Sequence, residues 1–457
     1  MYCCLWVHQR IYRKALQKSM LRSVLYGGGD LTSGVCAGNH DARRRDLHGR
    51  RGDFVGQFDS GGPVSAGSAS GLPVRGMTKK LRIGILFGGR SAEHDVSLQS
   101  ARNVMAAADS NKYEIVPIAI TKEGRWRMGV LPPGWAGSPS LEGIAKQGVE
   151  VIPAASPASI HGGIGPLIPV KYTGGDQSLG PLDVIFPVLH GTFGEDGTVQ
   201  GLLELAGIAY VGAGVLGSAV GMDKDVMKRL FRERGLPIVP YLAVRRVDIQ
   251  VNRRGVCLAA EKKFRYPLFV KPANLGSSVG ISKARNRKEL EKALETASDF
   301  DSKVLVEKAV VGREIECAVL GNEEPIASVP GEVIPAGEFY DYAAKYLEDT
   351  ARLLVPAPLK PAQAKRVQQL AVAAFQAVEC AGMGRVDFFL EQKTGKVLLS
   401  EINTIPGFTA ISMYPRLWEA SGLPYAQLID RLIELAIKRH REKVRTRYSL
   451  LPTGRRA

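Results

Sequence analysis

The sequence predicts an α/β protein with two or three domains. The chain has 457 residues, of which 45% are hydrophobic, and this is enough to build more than one core. From Leu81 onward, apolar segments of strand length alternate with helical patterns, an order that indicates a parallel α/β architecture. The longest apolar stretches, such as PLDVIFPVL, have the length of a strand, so we expect no membrane span and no membrane partner.

The N-terminal domain is predicted over residues 79–215. Its strands are LRIGILF, YEIVPIAI, DVIFPVLH and AYVG, and its helices are DVSLQSARNVMAAA and TVQGLLELAG. Residues 124–181 are rich in Gly and Pro, and we expect a small hairpin or loop insertion there.

Two further domains are predicted over residues 216–308 and 309–445. The first opens with the helix SAVGMDKDVMKRLFRERG, whose closing Gly235 is a C-cap signal, and it contains a Glu/Lys/Leu-rich helix over residues 286–298. The second begins with the strand REIECAVLG and ends with an amphipathic helix at about residues 424–443.

Residues 1–77 differ in composition from the rest of the chain. They contain Gly-rich and Arg-rich patches without a sustained hydrophobic period, so we expect disorder. The first 29 residues contain no acidic residue, and one interpretation is a transit peptide. The interpretation we favour is an over-long reading frame, with Met77 as the working start.

Charge and cysteine usage argue against several classes of protein. The formal net charge is +16, but residues 1–76 carry 11 Lys or Arg and 5 Asp, which leaves +10 for the remainder. That remainder has no basic cluster interleaved with aromatic residues, so a moderately basic enzyme that handles Mg-nucleotide explains the charge equally well, and we expect no nucleic-acid partner. The six cysteines show neither a C-x-x-C pair nor zinc spacing, which favours a reducing, cytoplasmic location.

Acidic and amide side chains interrupt two strand patterns that flank the turn KTG. If the hairpin is centred on Thr394, Asp387 lies opposite Glu401 and Arg385 lies opposite Asn403. Directly opposed acids destabilise a strand pair unless something neutralises them. Two carboxylates, an amide and a nearby Arg suit Mg²⁺ that also holds phosphate. A lone acid at a sheet edge is the alternative.

A Gly- and Ser-rich loop, KPANLGSSVG, follows the strand that ends at Lys271. Its small residues, including Ser277 and Ser278, let backbone N–H groups approach an anion, and Lys271 adds a positive charge for phosphate. The pattern differs from the P-loop, since no Lys-Ser or Lys-Thr follows the second Gly. The alternative is an ordinary turn between strands.

Three further segments carry candidate residues. LFGGRSAEHDVSL lacks the dinucleotide G-x-G-x-x-G spacing, so NAD is not expected; Ser97 is interpreted as a helix cap, whereas Glu93 is left open. His190 ends a strand and is either a structural residue or a ligand of a substrate carboxylate. EFYDYAAKY is either a loop that packs its own aromatic residues or a lid that brings Lys345 and Tyr346 to the site.

Seven motifs in this order resemble the D-alanine:D-alanine ligase family of the ATP-grasp superfamily, over residues 79–443. They are GGRSAEHDVS, HGTFGEDGT, KPANLGSSVG, EKAVVGRE, FYDYAAKY, GRVDFF and EINTIPGFTAISMYP. The resemblance implies an ATP-grasp fold with an N-terminal Rossmann-like domain. It also implies a homodimer that uses ATP and two Mg²⁺ or Mn²⁺ to make D-alanyl-D-alanine for peptidoglycan, through an acyl phosphate.

The resemblance assigns roles to the residues of these motifs. The metal ligands would be Asp387, Glu401 and Asn403. The nucleotide would be held at its phosphates, adenine and ribose by Lys224, Lys271, Ser278, Lys345, Glu307, Lys308, Val310 and Glu314. The tetrahedral oxyanion would be stabilised by Arg385 and the N–H of Gly407. The first D-alanine would be bound by Glu93 and His190.

The resemblance also covers the second substrate. Ser277 and Tyr346 would form a hydrogen-bonded set with Glu93, while Ser412 and Met413 would receive the second D-alanine. Some relatives carry Leu at the position of Met413, which is of similar volume. Relatives that make D-alanyl-D-lactate lack the Lys-Tyr pair, so Tyr346 favours the dipeptide product.

Three rival functions stay open at this point. The chain could be another ATP-grasp ligase with a different carboxylate and amine, although the EHDVS, HGTFGED and KY stretches speak against it. It could be a nucleotide-binding regulator without catalysis, although Arg385 and the three predicted metal ligands are intact. A nucleic-acid binder would have to use the N-terminal arm, with steeply salt-dependent affinity.

Overall fold

The computed structural model describes residues 79–129, 141–153, 167–169, 180–276, 279–335, 352–409 and 411–447. Within these ranges the strands form three sheets. No helix of the described residues is both long and apolar enough to cross a bilayer.

The first sheet has the strand order β5-β4-β3-β2-β1-β6-β7. Its parallel part consists of β1 (Leu81–Gly88), β2 (Tyr113–Ile120), β6 (Val184–Pro187) and β7 (Ala209–Tyr210). Three antiparallel strands extend it: β3 (Trp126–Met128), β4 (Val149–Pro153) and β5 (Leu167–Pro169). The accompanying helices are α1 (His94–Ala107), α2 (Leu141–Gln147) and α3 (Thr198–Leu205). The described parts of the predicted insertion at 124–181 therefore add strands β3, β4 and β5 to this sheet.

The second sheet is antiparallel, with the order β10-β9-β11-β8. Its strands are β8 (Tyr241–Arg245), β9 (Leu268–Pro272), β10 (Ser282–Ala284) and β11 (Lys303–Lys308). The helices of this region are α4 (Val215–Met222), α5 (Lys224–Glu233), α6 (Arg246–Lys263) and α7 (Arg287–Phe300). The single helix predicted at its start is wrong, because the Asp223 side chain accepts the N–H groups of Asp225 and Val226 and begins a new helix there.

The third sheet is also antiparallel, with the order β15-β14-β12-β16-β17 and β13 paired to β12. Its strands are β12 (Gly312–Gly321), β13 (Ile326–Ala327), β14 (Gly331–Ile334), β15 (Arg352–Leu354), β16 (Gly382–Glu391) and β17 (Val397–Asn403). The helices are α8 (Pro361–Ala377), α9 (Met413–Ala420) and α10 (Tyr425–Val444). The last helix agrees closely with its predicted bounds.

The parallel architecture predicted from Leu81 onward is wrong beyond the first sheet, where only the hairpin of β16 and β17 was predicted as antiparallel. Within the described residues, every strand pair of the second and third sheets is antiparallel. A strand pair such as β16 and β17, which a short turn connects, can only be antiparallel, because a parallel pair needs a long crossover. Alternation of apolar and helical patterns does not reveal this difference.

Phe408 connects the first sheet to the C-terminal helices. Its fully buried ring lies 5.9 Å from that of Phe186 on β6, 5.5 Å from Tyr414 on α9 and 6.1 Å from Tyr425 on α10, measured between ring centroids. These contacts belong to one hydrophobic cluster of both regions. The loop after β17 is therefore fixed against the end of the first sheet.

Candidate active site

The hairpin of β16 and β17 carries the predicted metal ligands. Asp387 pairs with Glu401 and Arg385 with Asn403, so the predicted register is confirmed at these positions. Nearer the turn the register shifts by one residue, because a bulge between Asp387 and Phe388 leaves Ser400 as the extra residue of β17. Only the pairs between the bulge and the turn are shifted. The four polar side chains lie beyond the bulge and keep the predicted pairing.

Cationic side chains surround the acids of this hairpin. Arg385 donates from Nε to Asp387 Oδ1 at 2.8 Å and from Nη2 to Oδ2 at 2.7 Å. The Asn403 amide donates to Asp387 Oδ2 at 2.9 Å, and Lys224 Nζ lies 3.4 Å from Glu401 Oε2. The negative charges of the two opposed acids are thus offset, as a stable strand pair requires.

A second charged group lies on β9 and β11. Lys271 Nζ lies 2.6 Å from Glu307 Oε2, and Lys228 Nζ lies 3.0 Å from Glu307 Oε1. Burial acts to raise the pKa of Glu307, but the charges of Lys228 and Lys271 outweigh it and hold the pKa below its usual value. Burial acts to lower the pKa of Lys271, but Glu307 and Glu401 outweigh it and raise the pKa. Glu307 and Lys271 are therefore both ionised.

A cavity of about 520 Å³ lies between the second and third sheets. This volume is in the range of small-molecule and cofactor sites. The sequence-predicted residues that line it are Lys224, Lys271, Glu307, Lys308, Val310, Glu314, Arg385, Asp387, Glu401 and Asn403. Apolar side chains such as Phe269, Ile281 and Phe388 complete the wall. The structure thus gathers charged groups suited to phosphate beside an apolar surface suited to a base.

The amino-acid end of the site contains two buried acids, Glu93 and Glu195. A methyl group added to Gly276 would lie 3.2 Å from Glu93 Oε1 and 3.6 Å from Glu195 Oε1, so both carboxyls face the backbone of the KPANLG loop. Glu195 accepts the N–H of Gly191 at 3.0 Å. Burial, and next the charge of Glu93, raise the pKa of Glu195 to about 8. At neutral pH this carboxyl is therefore protonated.

His190 is held by protein groups at both ring nitrogens. Nδ1 lies 3.1 Å from the carbonyl oxygen of Ile405, and Nε2 lies 3.0 Å from Ser100 Oγ. Nδ1 must carry the hydrogen, because a carbonyl only accepts, so Nε2 accepts from the Ser100 hydroxyl. Burial lowers the pKa of His190 to about 4, and the ring is neutral. A bond to a substrate carboxylate stays a prediction, and it requires one of these contacts to be exchanged.

Ser100 extends this network to the loop after β17. Its Oγ accepts the N–H of Phe408 at 3.3 Å, next to Gly407. A methyl group on Gly407 would lie 2.8 Å from Ser412 Oγ, and Ser412 Oγ also accepts the N–H of Thr409 at 3.0 Å. The predicted oxyanion donor and one predicted ligand of the second D-alanine thus share a single tight loop.

Other predicted residues have simpler placements. Met413 is buried at the start of α9, and its Sδ would lie 2.8 Å from a methyl group added to Gly331. Ser97 does not cap α1; its Oγ accepts the N–H of Gly88 and donates to the Val188 carbonyl, so that interpretation is wrong. The buried Ser97 hydroxyl instead bonds one backbone group at the end of β1 and one directly after β6. Four predicted site residues lie outside the described residues, namely Ser277, Ser278, Lys345 and Tyr346.

Sequence reasoning missed four residues that contact this constellation, namely Ser100, Glu195, Lys228 and Glu316. Glu195 stands in the quoted HGTFGEDG motif, and Lys228 follows Lys224 by one helical turn, so both signals were present. Glu316 lies opposite Asp387 on β12, with Oε2 3.0 Å from Arg385 Nε. Nothing in the local sequence pattern distinguishes Ser100.

The oxygen donors of the hairpin fit magnesium. No group of three or more His, Cys, Asp or Glu residues gathers as a metal site in the part of the chain that the structure describes. Mg²⁺ is usually held by one or two carboxylates together with phosphates and water. Asp387 and Glu401, with the amide of Asn403 beside them, match that requirement.

Two protein-family models match the chain. The model of the D-ala D-ala ligase N-terminus matches residues 82–213, and that of the D-ala D-ala ligase C-terminus matches residues 230–434. The D-alanine–D-alanine ligase of Solibacter usitatus is 49% identical over 370 residues, which are 81% of this chain and 99% of that protein. The ligase of Natranaerobius thermophilus is 48% identical over 371 residues, with 80% and 98% covered.

Solved structures agree with the family models. The D-alanine-D-alanine ligase from Coxiella burnetii is 40% identical, with a TM-score of 0.69 over 80% of this chain and 97% of that chain. The VanG D-Ala:D-Ser ligase from Enterococcus faecalis is 36% identical, with a TM-score of 0.68 over 78% and 100%. These likenesses confirm the predicted ATP-grasp fold. The chain belongs to the D-alanine–D-alanine ligase family.

Proposed function

We propose that this protein uses ATP to join two D-alanine molecules into D-alanyl-D-alanine for peptidoglycan synthesis, releasing ADP and phosphate. The proposal rests on one cavity, which is lined by positive and negative side chains from both the second and the third sheet regions. Lys224 and Lys271 come from the second sheet region, and Arg385, Asp387 and Glu401 come from the third. Glu195 lines the same cavity and brings it next to Glu93 of the first domain.

The cavity supports transfer of the γ-phosphoryl group. A carboxylate of the first D-alanine attacks the γ-phosphorus, which gives an acyl phosphate and ADP. Negative charge on the transferred group is offset by the lysines at the cavity wall, and the apolar wall near Val310 and Phe269 suits the adenine. In the second step, the amine of the other D-alanine attacks the acyl carbon, and phosphate leaves.

Positioning is the main contribution of the amino-acid end. Glu93 offers a carboxylate for the ammonium group of the first D-alanine, while Glu195 and His190 are neutral at pH 7. The N–H of Gly407 and the guanidinium of Arg385 are the donors for the tetrahedral oxyanion. Because Glu93, Glu195 and His190 are buried and Arg385 is held by its bonds to Asp387, these side chains need little reorganisation when charge develops.

Magnesium ions would supply charge neutralisation at the phosphates, held by Asp387, Glu401 and Asn403. In the structure the guanidinium of Arg385 occupies both Asp387 oxygens. The Arg385 guanidinium also lies 3.0 Å from Glu316 Oε2, a contact that would keep Arg385 in the site if Asp387 held a metal ion. The number of ions, their replacement by Mn²⁺, the homodimer and the cytoplasmic location stay predictions.

The VanG likeness raises a second candidate, ligation of D-alanine to D-serine. The curated relatives described above are D-alanine–D-alanine ligases at 48–49% identity, against 36% for the D-Ala:D-Ser ligase. The predicted role of Tyr346 favours an amine over D-lactate as the second substrate, and it does not distinguish D-serine from D-alanine. We therefore place D-serine second.

The test measures ADP and peptide products of the purified protein with Mg-ATP. D-alanine is supplied by itself, with D-serine, and with D-lactate, and L-alanine serves as the control. We expect D-alanyl-D-alanine from D-alanine and no turnover of L-alanine. If none of these substrates supports ATP turnover, the substrate assignment is overturned, whereas the assignment of the nucleotide site is unaffected.

A further inference from the structure

One buried carboxylate, Glu307, is held between two lysines. Lys271 approaches one oxygen at 2.6 Å and Lys228 approaches the other at 3.0 Å. Glu307 is 2% exposed and Lys228 is 1% exposed. A single carboxylate needs one cation for neutrality, so the second lysine requires its own explanation.

Lys228 is an expensive residue in this position. Within the described residues its Nζ makes no hydrogen bond beyond the ion pair with Glu307, and its other neighbour is the ring of Tyr241 at 5.9 Å. Burial lowers the pKa of Lys228. A buried ammonium with one polar partner is costly, and an apolar side chain of similar shape would pack at least as stably. Packing by itself therefore does not explain the charge.

The two lysines differ in their access to the cavity. Lys271 lines it, and 12% of its side chain is exposed, whereas Lys228 lies behind Glu307 and does not line it. A phosphate in the cavity can therefore draw Lys271 away from Glu307. Without a second cation, that movement would leave a carboxylate unpaired in a buried place, and the nucleotide would bear the cost.

We propose that Lys228 is a positioning residue that holds the Glu307 carboxylate in place while Lys271 turns to the phosphate of the nucleotide. This inference rests on the proposed function only in taking the cavity as a nucleotide site. Lys228 does not touch the ligand; it acts through Glu307. Its removal should therefore weaken binding mainly through the phosphate contacts that Lys271 makes, because without Lys228 the carboxylate of Glu307 is still held in its place near the base by Lys271.

The test compares ADP with adenosine as ligands of the full chain, by calorimetry without D-alanine. K228M should weaken ADP binding by about tenfold to a hundredfold, because Lys271 is then retained by Glu307. Adenosine affinity should change by less than about threefold. An equal loss for both ligands, or no loss for either, overturns the proposal.

A second variant pair keeps the test decisive if K228M does not fold. E307Q removes the carboxylate that retains Lys271, and K228M/E307Q removes both buried charges, which proteins tolerate better than a broken pair. Because neither variant has a carboxylate that retains Lys271, the two should bind ADP within about threefold of each other. A tenfold weaker affinity of the double variant would show that Lys228 acts independently of Glu307, and would overturn the proposal.

Lys303 provides the matched control. It is also buried, at 6% exposure, and it contacts Asp223 at 2.7 Å and Asp225 at 3.2 Å, but it does not line the cavity. K303M should lower stability and leave the ratio of ADP to adenosine affinity unchanged. The D-alanine assay separates the proposed ligase reaction from the proposed role of Lys228. If the wild-type protein binds ADP but makes no dipeptide, the proposed reaction is contradicted, and the role of Lys228 can still be tested by ADP binding.

Discussion

The phosphate end and the amino-acid end of the site handle buried charge in opposite ways. At the phosphate end, Asp387 lies against Arg385 and Glu307 lies against two lysines, so each acid has a cationic partner. At the amino-acid end, burial leaves His190 neutral and Glu195 protonated. Ion pairs dominate one region, and loss of charge dominates the other.

This difference follows from what each ligand brings. A nucleotide brings several negative charges, and cations that are already paired can exchange a carboxylate for a phosphate at low cost. An amino acid brings one ammonium group, and a site with two ionised acids would hold excess charge. Protonation of Glu195 leaves Glu93 as the carboxylate for that ammonium. Variants in each region test the contrast.

The largest effect is expected at the phosphate end, for Asp387→Asn. This change removes a proposed metal ligand and the partner of Arg385, so the rate of dipeptide formation should fall by about 10²- to 10³-fold or more. Asp430→Asn is the control, since Asp430 pairs with Lys112 at the surface, 2.6 Å away, and should leave the rate within about twofold. If Asp387→Asn keeps more than about a tenth of the wild-type rate, charge pairing is not what this region contributes.

The next effect concerns stability at the amino-acid end, as a function of pH. Because the pKa of His190 is lowered from 6.5 to about 4, the unfolded chain binds more protons between these values. Its contribution to stability is complete above pH 6.5 and is lost as the pH falls toward 4, amounting to roughly 3 kcal/mol. Thermal unfolding from pH 4 to pH 7 should show a flatter profile for His190→Asn than for wild type.

Glu195 changes the pH dependence of stability in the opposite direction to His190. The effect of His190 is therefore read from the difference between wild type and the variant, since both contain Glu195. The pKa of Glu195 is raised from 4.5 to about 8, so the folded state binds more protons in that window and stability falls as the pH rises. His440→Asn is the comparison: burial also lowers the pKa of His440, but this ring is only partly buried, so a smaller flattening is expected. Parallel profiles for wild type and His190→Asn would contradict a neutral, buried His190.

The smallest effect separates the two acids of the amino-acid end. Glu93→Gln should raise the KM for the first D-alanine by roughly 10- to 100-fold, because it removes the charge that binds the ammonium group. Glu195→Gln should change this KM by less than about threefold at pH 7, because Glu195 is already neutral. Steady-state kinetics at pH 7 measures both. Equal increases for the two variants would break the contrast between the acids.

The sequence determined the local geometry of the phosphate end. A short turn and the period of two along each strand were enough to place Asp387 opposite Glu401 and Arg385 opposite Asn403. Motif order was enough to identify the family. Apart from the hairpin of β16 and β17, the sequence did not reveal that the second and third sheets are antiparallel, because strand patterns look alike in both orientations. It also did not reveal the break at Asp223, because the helical period continues across it.

Tertiary structure decided the protonation states and the partners of the buried groups. His190 meets Ser100 and Ile405, which lie 90 and 215 residues away in the chain, and Lys228 meets Glu307 from another element. A pKa depends on burial and on charges within a few ångströms, and both come from segments that only folding brings together. The sequence therefore identified which side chains could do the chemistry, and the fold decided which of them carry charge.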